Sequence, residues 1–259
     1  MILEVNNLRF SYPNQEVLTG VSFNAAAGEC LCLLGENGAG KTTLFRCLLG
    51  LLNGYTGEIL IDGVSSKKLS IRETAKTIAY IPQAHAPAFN YSVFDTVLMG
   101  TNPHIESYRT PSIDEQEVTQ NALKLLKIDH LSERGYAQIS GGERQLVLIA
   151  RAIAQQTRVL VMDEPTAHLD YGNQIRVMRQ VRQLAQQGYL IVLSTHNPEH
   201  ALLYADNVLV LKQGKVLTHG PPASALTPEV IQRIYGVSVE LITLQSSIGS
   251  VPALCPCPE

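Results

Sequence analysis

The segment GENGAGKT, from Gly35 to Thr42, is the feature of this sequence that most restricts the folds open to it. Two glycines separated by four residues, followed by Lys and a hydroxyl residue, form the phosphate-loop pattern. A strand-like apolar run, Glu29 to Leu34, comes before it, and a helical pattern follows it. Because a phosphate loop works between a strand and a helix, the segment predicts an α/β fold that binds a nucleoside triphosphate.

The residues of this loop have separate expected roles. Glycine lets backbone amides turn toward phosphate oxygens, and a helix that begins near Lys41 adds the positive end of its dipole. We expect Lys41 to reach the β and γ phosphates of ATP, and the hydroxyl of Thr42 to bind Mg²⁺. The predicted ATP-binding residues of the loop are Gly35, Glu36, Asn37, Gly38, Ala39, Gly40, Lys41, Thr42 and Thr43.

Two carboxylates follow the apolar run Val159 to Met162 in the sequence VLVMDEP. They are therefore expected at the edge where sheets of this kind bind ligands. Asp163 is predicted to hold Mg²⁺ or its water, and Glu164 to orient or deprotonate the water that attacks the γ-phosphate. A solvated acidic turn is the alternative, but it does not explain why the pair ends a buried strand.

A third motif narrows the class of nucleotide-binding protein. The segment ISGGERQLVLIARAI, from Ile139 to Ile153, resembles the signature of the ABC ATPase family, a Ser-Gly-Gly loop that leads a helix. The resemblance implies that Ser140, Gly141 and Gly142 bind the ATP held by the opposite subunit of a homodimer, and amides at a helix N-terminus suit an anion. Ser140 and Glu143 also have the spacing of a capping box, and both interpretations can hold at once. The family usually has Gln in place of Glu143, so Glu143 is left out of the predicted phosphate ligands.

The resemblance extends to about Tyr235 and implies roles for four further residues. Tyr12 matches the aromatic residue that stacks on adenine, and Gln83 matches the glutamine that contacts Mg²⁺ and the attacking water. Asp170 matches the loop along the dimer interface, and His196 matches the histidine that hydrogen-bonds the γ-phosphate. The implied catalytic residues are Glu164, His196, Gln83 and Lys41. The implied Mg²⁺ ligands are Thr42, Gln83 and Asp163.

Strand-like and helix-like runs alternate along the chain, which is typical of a mainly parallel sheet covered by helices. The resemblance implies a P-loop NTPase (RecA-like) core with an antiparallel β part at the N-terminus. Prolines and helical segments break the alternation from about 83 to 138, which predicts an inserted α-helical subdomain. The expected single domain is then 1–235, with its core at 1–82 and 139–235, followed by a C-terminal tail, 236–259. Helices are expected at Thr42 to Leu52, Val93 to Met99, Glu115 to Lys127, Glu143 to Gln155 and Gln174 to Gln186.

Composition limits the partners of the chain. Its formal net charge is −3, and no run of Lys or Arg exceeds two residues, so nucleic acid is not an expected partner. No apolar stretch approaches the ~20 residues that span a bilayer. The first ten residues alternate like a half-buried strand and lack the regions of a signal peptide, so the chain is expected in the cytosol.

The five cysteines fall into two groups. Cys30, Cys32 and Cys47 lie in apolar segments, where reduced thiols pack as small apolar groups. Cys255 and Cys257 lie in the Pro-flanked sequence CPCPE, where they could bind metal or pair across a dimer. Two ligands do not make a zinc site, so a disordered tail is the expectation there.

The segment from Ala86 to Gly100, with PTAHLDYGNQ downstream, resembles the ATPases of importers for iron chelates, haem and cobalamin, and related ones for oxyanions such as molybdate. The implied function is the ATP-hydrolysing subunit of such an importer, with ATP and Mg²⁺ as cofactors. The implied partners are a second copy, membrane permease subunits that hold it at the cytoplasmic face, and indirectly an extracytoplasmic substrate-binding protein. The candidate permease-docking residues are Phe89, Tyr91, Val93 and Phe94, each of which fits the subdomain core about equally well.

Other functions share parts of this pattern. An exporter ATPase uses the same catalytic set and is the main alternative, although exporters often fuse the cassette to membrane helices. A DNA-repair ATPase would need a long coiled-coil insertion, and no sustained heptads occur. A regulator that binds ATP without cleaving it would be expected to lack Glu164 and His196.

Overall fold

The computed structural model describes residues 1–83, 90–105, 109–246 and 249–257. A four-stranded antiparallel sheet with strand order β2-β1-β4-β5 begins the chain, as expected. Its strands are β1 Leu3–Tyr12, β2 Gln15–Ala25, β4 Thr56–Ile61 and β5 Val64–Ser65. Alternate residues of β1 are buried or exposed, because one face of this sheet covers the core.

A second sheet of six strands, in the order β10-β9-β3-β8-β7-β6, forms the centre of the fold. The strands are β3 Cys30–Leu34, β6 Ile78–Ile81, β7 Val159–Met162, β8 Leu190–Thr195, β9 Asn207–Lys212 and β10 Lys215–Gly220. All of its neighbours pair in parallel except β10 with β9. Every residue of β3, β7 and β8 is buried, because apolar side chains cover both faces of the sheet. The expected mainly parallel sheet is confirmed.

Nine α-helices connect and cover these strands in the part of the chain that the structure describes. They are α1 Lys41–Leu48, α2 Ile71–Thr77, α3 Val93–Leu98, α4 Ile113–Leu125, α5 Gly141–Ala154, α6 Tyr171–Gln186, α7 Pro198–Tyr204, α8 Pro222–Ala225 and α9 Pro228–Tyr235. Helix α1 ends four residues earlier than expected, and Gly50, two residues past its last residue, takes a left-handed φ of 67°. Among the described residues, no helix has both the length and the apolar character needed to cross a membrane.

Helices α3 and α4 lie between β6 and α5 in the chain and pack on α5 through a shared apolar core. Helix α4 begins two residues earlier than expected because Ser112 and Glu115 form a capping box at its start. Val93 is fully buried in this core, which corrects its expected place on a docking surface. Tyr91 is 49% exposed and Phe94 is partly buried, whereas Phe89 lies outside the described residues.

The C-terminal residues form an antiparallel hairpin of β11 Val239–Ser246 and β12 Gly249–Pro256, so the expectation of a disordered tail is wrong. Val239, Leu241 and Leu254 pack against the main core. This packing stabilises the hairpin, because an isolated two-stranded hairpin is only marginally stable in water. The Ser, Gly and Pro residues near its turn hide this short apolar alternation in the sequence.

The cysteines divide as expected with respect to burial. Cys30, Cys32 and Cys47 are free and buried, while Cys255 is exposed and Cys257 is partly exposed. Cys255 pairs with Glu240 in the register of the hairpin. The three buried thiols pack inside the cores on the two sides of the central sheet.

Candidate nucleotide-binding site

The loop between β3 and α1 carries the phosphate-binding pattern. Gly40 caps the N-terminus of α1 with φ 105°, a conformation that favours glycine. A Cβ atom at Gly40 would also lie 3.0 Å from Leu18, a buried residue of β2. Glu36, Asn37 and Gly38 are exposed, so their backbones are open to a bound anion. The sequence places glycine here because the chain turns sharply into the helix.

The ammonium group of Lys41 points back into this loop. Its Nζ atom donates to the carbonyl oxygens of Gly35 at 2.6 Å and Glu36 at 3.1 Å. Burial lowers the pKa of Lys41, and the nearby carboxylates of Glu164 and Asp163 oppose that shift. The ammonium group therefore bonds to two neutral carbonyl oxygens. The charged oxygens of a bound phosphate would form stronger hydrogen bonds with it.

Asp163, just past β7, is surrounded by hydroxyl groups. Ser194 donates to its Oδ1 atom at 2.6 Å, and Thr42 donates to its Oδ2 atom at 3.3 Å. The hydroxyl of Tyr80 lies 3.4 Å from Oδ2, and burial, followed by the charge of Asp163, raises the pKa of Tyr80 to about 12. Sequence reasoning missed both Ser194 and Tyr80. The signal in the sequence for these two residues was their position near the ends of apolar strands.

Glu164 follows with an unusual backbone and two specific contacts. Its φ is 45°, which non-glycine residues rarely adopt. Its amide donates to the hydroxyl of Ser194 at 2.9 Å, and its Oε2 atom lies 3.2 Å from Nδ1 of His196. The structure thus brings together two residues that the sequence analysis named as a predicted base and a γ-phosphate contact.

His196 lies in the loop between β8 and α7, where its side chain is 63% exposed. Its backbone carbonyl accepts a hydrogen bond of 2.8 Å from the hydroxyl of Tyr235, the last residue of α9. Burial raises the pKa of Tyr235, so this hydroxyl remains a donor across the physiological range. Sequence analysis assigned Tyr235 no role.

Gln83 follows β6 by two residues and contacts a different histidine. Its Nε2 atom lies 3.1 Å from Nε2 of His168, whose φ is 61°. This contact connects the loop after β6 with the loop that leads to Asp170.

A cleft of about 440 Å³ lies between the N-terminal sheet and the phosphate loop. Tyr12 lines it, and its ring meets that of Phe10 edge to face with centroids 5.0 Å apart. The cleft is lined by Tyr12, Gln15, Glu16, Val17, Glu36, Asn37, Gly38, Gly40, Lys41, Thr42, Thr43, Asp163, Glu164, Gln213 and Gly214. Of the nucleotide-site residues named from the sequence, Gly35, Ala39, Gln83 and His196 lie outside this lining, and so do Asp170 and the loop 140–142.

The Ser-Gly-Gly loop lies at the N-terminus of α5. Ser140 and Glu143 form the predicted capping box, with Ser140 Oγ 2.7 Å from Glu143 Oε2. Hydrogen bonds from Ser140 lower the pKa of Glu143, so its carboxylate is engaged with its own helix. A Cβ atom at Gly142 would come within 2.4 Å of the Asn173 side chain. Ser140 itself is exposed.

Asp170 caps the neighbouring helix α6. Its carboxylate accepts from the amide of Asn173 at 2.9 Å and from the Asn173 side chain at 2.7 Å. These two bonds lower the pKa of Asp170. Because the same Asn173 packs on Gly142, the 140–142 loop and the Asp170 loop form one continuous surface.

The oxygen atoms around Asp163 fit Mg²⁺, which prefers oxygen ligands and usually keeps some water and phosphate ligands. Thr42 and Asp163 supply a hydroxyl and a carboxylate side by side. No group of three or more His, Cys, Asp or Glu residues that could hold a metal ion occurs in the described part of the chain. The site therefore fits a cation that is held partly by the phosphates of a nucleotide.

A phosphate loop at the edge of a parallel sheet, with a lysine and two carboxylates facing it, defines a nucleoside-triphosphate hydrolase of the P-loop class. The family model described as "ABC transporter" matches residues 18–167, more than half of the chain. The chain belongs to the ABC transporter family. It is an ATPase of this family, and its hydrolysis of ATP is coupled to transport.

Individual relatives agree with this assignment. The chain is 43% identical over 242 residues to an ABC transporter ATP-binding protein of Haemophilus influenzae, covering 93% of this chain and 92% of the relative. It is 36% identical over 241 residues to the hemin import ATP-binding protein of Rhodococcus jostii, covering 93% and 82%. A solved inward-facing ABC transporter assigned to the metal-chelate type matches with a TM-score of 0.89 and 32% identity, covering 100% of this chain and 98% of that chain. This subunit is part of a transporter complex with membrane subunits.

Proposed function

We propose that this chain is the ATP-hydrolysing subunit of an importer for a metal chelate, with an iron chelate or hemin as its cargo. The observation that carries the proposal is the cleft in which Lys41, Asp163 and Glu164 converge, in a chain whose relatives include a hemin import ATPase. The likeness to an inward-facing transporter of the metal-chelate type supports the same cargo class. Cobalamin, which the sequence pattern also suggested, has no comparable support.

The residues of the cleft have distinct roles in this proposal. The loop 35–43 holds the phosphates of ATP, Lys41 neutralises the β and γ phosphates, and Tyr12 stacks on adenine. Thr42, Asp163 and Gln83 would hold Mg²⁺, which neutralises charge on the phosphates when it is bound. Glu164 accepts a proton from the attacking water, while His196 donates a hydrogen bond to the γ-phosphate.

The position of the signature loop supports a homodimer. Ser140 is exposed and Gly141 is partly exposed, and neither lines the cleft of its own chain. In a second copy, Ser140, Gly141 and Gly142 would close over the nucleotide from the other side, with Asp170 along the interface. Amides at the start of α5 suit the phosphate oxygens of that nucleotide.

The permease would dock on the α-helical subdomain, here assigned to 83–138 within a single domain of 1–235. A groove of about 330 Å³ on this subdomain is lined by Tyr91, Asp95, Leu98, Met99, Asn102 and Pro111. Its mixture of apolar surface and one carboxylate suits a short amphipathic helix. Docking there would hold the subunit at the cytoplasmic face of the membrane, with an extracytoplasmic binding protein delivering the cargo. The segment 236–259 lies outside this assignment, and nucleic acid has no role in it.

Export is the competing function, since an exporter ATPase would use the same cleft. The test is copurification of the permease with this subunit, followed by uptake of hemin and iron chelates by cells that carry the wild type or the Lys41→Ala variant. Import that is lost in the variant would support the proposal. Copurification with an export permease, or uptake that does not depend on Lys41, would contradict it.

A further inference from the structure

Ser194 lies between the two acidic residues of the candidate site. It is the fifth residue of β8, and its exposed fraction is 0%. Its hydroxyl donates to Asp163 Oδ1 at 2.6 Å and accepts from the amide of Glu164 at 2.9 Å. One buried hydroxyl therefore fixes both the carboxylate of Asp163 and the backbone of Glu164.

The two bonds constrain different parts of the site. With Oδ1 of Asp163 bonded to Ser194, the other oxygen, Oδ2, is the one that faces the hydroxyl of Thr42 at the start of α1. Strand β7 ends at Met162, so the amide of Glu164 lies beyond the ladder that joins β7 to β8. Ser194 supplies the acceptor for this amide where the backbone adopts its left-handed φ of 45°.

We propose that Ser194 is a positioning residue for ATP hydrolysis, which holds Asp163 for Mg²⁺ binding and Glu164 for activation of water. The proposal rests on the proposed function, because it assumes that Asp163 and Glu164 act on bound ATP. Partners of metal-binding groups fix the orientation of those groups, and losing one usually weakens metal affinity or activity by about 10–100-fold. Ser194 is such a partner of Asp163, because its hydroxyl donates a hydrogen bond of 2.6 Å to the Asp163 carboxylate.

The chain offers a matched control in Ser66. This serine is also buried, and its hydroxyl lies 2.6 Å from the hydroxyl of Tyr55. Neither Ser66 nor Tyr55 lines the nucleotide cleft. Ser66→Ala therefore removes the same atom and a hydrogen bond of the same length as Ser194→Ala, without touching the candidate site.

The experiment compares the two variants with the wild type in binding and in turnover. A fluorescent ATP analogue is titrated with and without Mg²⁺, kcat and KM are measured, and thermal unfolding reports the stability of each variant. We expect Ser194→Ala to weaken the Mg²⁺-dependent gain in nucleotide affinity and to lower kcat, each by about 10–100-fold. Metal-free nucleotide affinity should stay at the wild-type value, and Ser66→Ala should leave both binding and kcat unchanged.

The Asp163→Asn background tests whether Ser194 acts through Asp163. In that background Ser194→Ala should cause no further loss of the Mg²⁺ response, because the group that it positions has been altered. A further loss of full size would overturn the proposal, as would a wild-type Mg²⁺ response and kcat in the single variant. Equal losses in Ser194→Ala and Ser66→Ala would also overturn it. A wild-type chain without ATP hydrolysis would instead overturn the proposed function together with this assignment.

Discussion

Nδ1 of His196 lies 3.2 Å from Oε2 of Glu164. The two residues follow the ends of β8 and β7, which are neighbours in the central sheet. The Glu164 side chain is 20% exposed, whereas that of His196 is 63% exposed. The carboxylate is thus largely enclosed, while the imidazole is within reach of a ligand in solution. This contact joins the carboxylate that we propose to accept the proton of the attacking water and the imidazole that we propose to hydrogen-bond the γ-phosphate.

Glu164→Gln should lower the hydrolysis rate by about 10²–10⁴-fold, because the amide cannot accept the proton of the attacking water. ATP binding should persist, since the phosphate loop and Lys41 are unchanged. Single-turnover phosphate release and nucleotide titration measure the two quantities. Glu240→Gln, an exposed position on the hairpin, is the control that should behave as wild type. A normal rate in Glu164→Gln with normal ATP binding would refute the assignment of the base.

Lys41→Ala should reduce ATP affinity by at least about tenfold, the effect of losing one or more hydrogen bonds to a charged group. The lysine is held in the loop by two carbonyl oxygens, so the variant also loses those bonds. Calorimetric titration of ATP measures the affinity. Lys215→Ala, at an exposed position of β10, removes the same charge away from the loop and should bind ATP normally. Equal affinity of Lys41→Ala and wild type would contradict the proposed site.

The folded chain should react with iodoacetamide at Cys255 first and Cys257 more slowly, while Cys30, Cys32 and Cys47 stay unmodified. The thiolate is the reactive form, and burial raises the pKa of Cys30 and of Cys47 to about 12. Peptide mass spectrometry after labelling at pH 8 checks the order. All five thiols should react in urea, which is the control. Rapid labelling of Cys30 in the folded chain would contradict the described burial.

The burial of the Cys30 and Cys47 thiols also predicts that the chain loses stability at alkaline pH. A thiol whose pKa rises on folding stays protonated in the folded chain. Its contribution to the free energy of unfolding is therefore complete at pH values below 9.0, the ordinary pKa of the thiol. The contribution then falls between pH 9.0 and about 12, as the unfolded thiol ionises first. The free energy of unfolding, measured by urea titration at several pH values, should decline over this range. Cys47→Ala should reduce the slope by up to about 1.4 kcal/mol per pH unit, and an unchanged slope in that variant would contradict the prediction.

Truncation after Gly236 should destabilise the chain without abolishing ATP hydrolysis. Val239, Leu241 and Leu254 pack on the core, and at roughly 1 kcal/mol for each half-buried side chain the loss is about 3 kcal/mol. No candidate nucleotide-site residue lies in the removed segment. Urea unfolding and steady-state hydrolysis measure the two effects. Leu244→Ser, at a hairpin position that is 50% exposed, should leave stability nearly unchanged. Loss of hydrolysis on truncation, at a temperature where the chain is still folded, would show that the hairpin acts on the site.

Local patterns predicted the central sheet, its phosphate loop and several helix ends. The apolar runs of β7 and β8 were evident because each strand is buried on both faces. The Ser140 and Glu143 capping box was evident because its two members are three residues apart. The hairpin escaped prediction because its stability depends on an apolar surface formed by other elements.

The sequence by itself determined which chemical groups this protein carries and which of them start helices or end strands. A glycine-rich loop before Lys41, and two acidic residues after an apolar strand, act through their immediate neighbours in the chain. Tertiary structure decided which groups meet. Ser194 bonds to Asp163 across 31 positions of sequence, Tyr235 to His196 across 39, and Gln83 to His168 across 85. Such contacts depend on strand order and on where α9 packs, because only the folded sheet brings these distant segments within hydrogen-bonding distance.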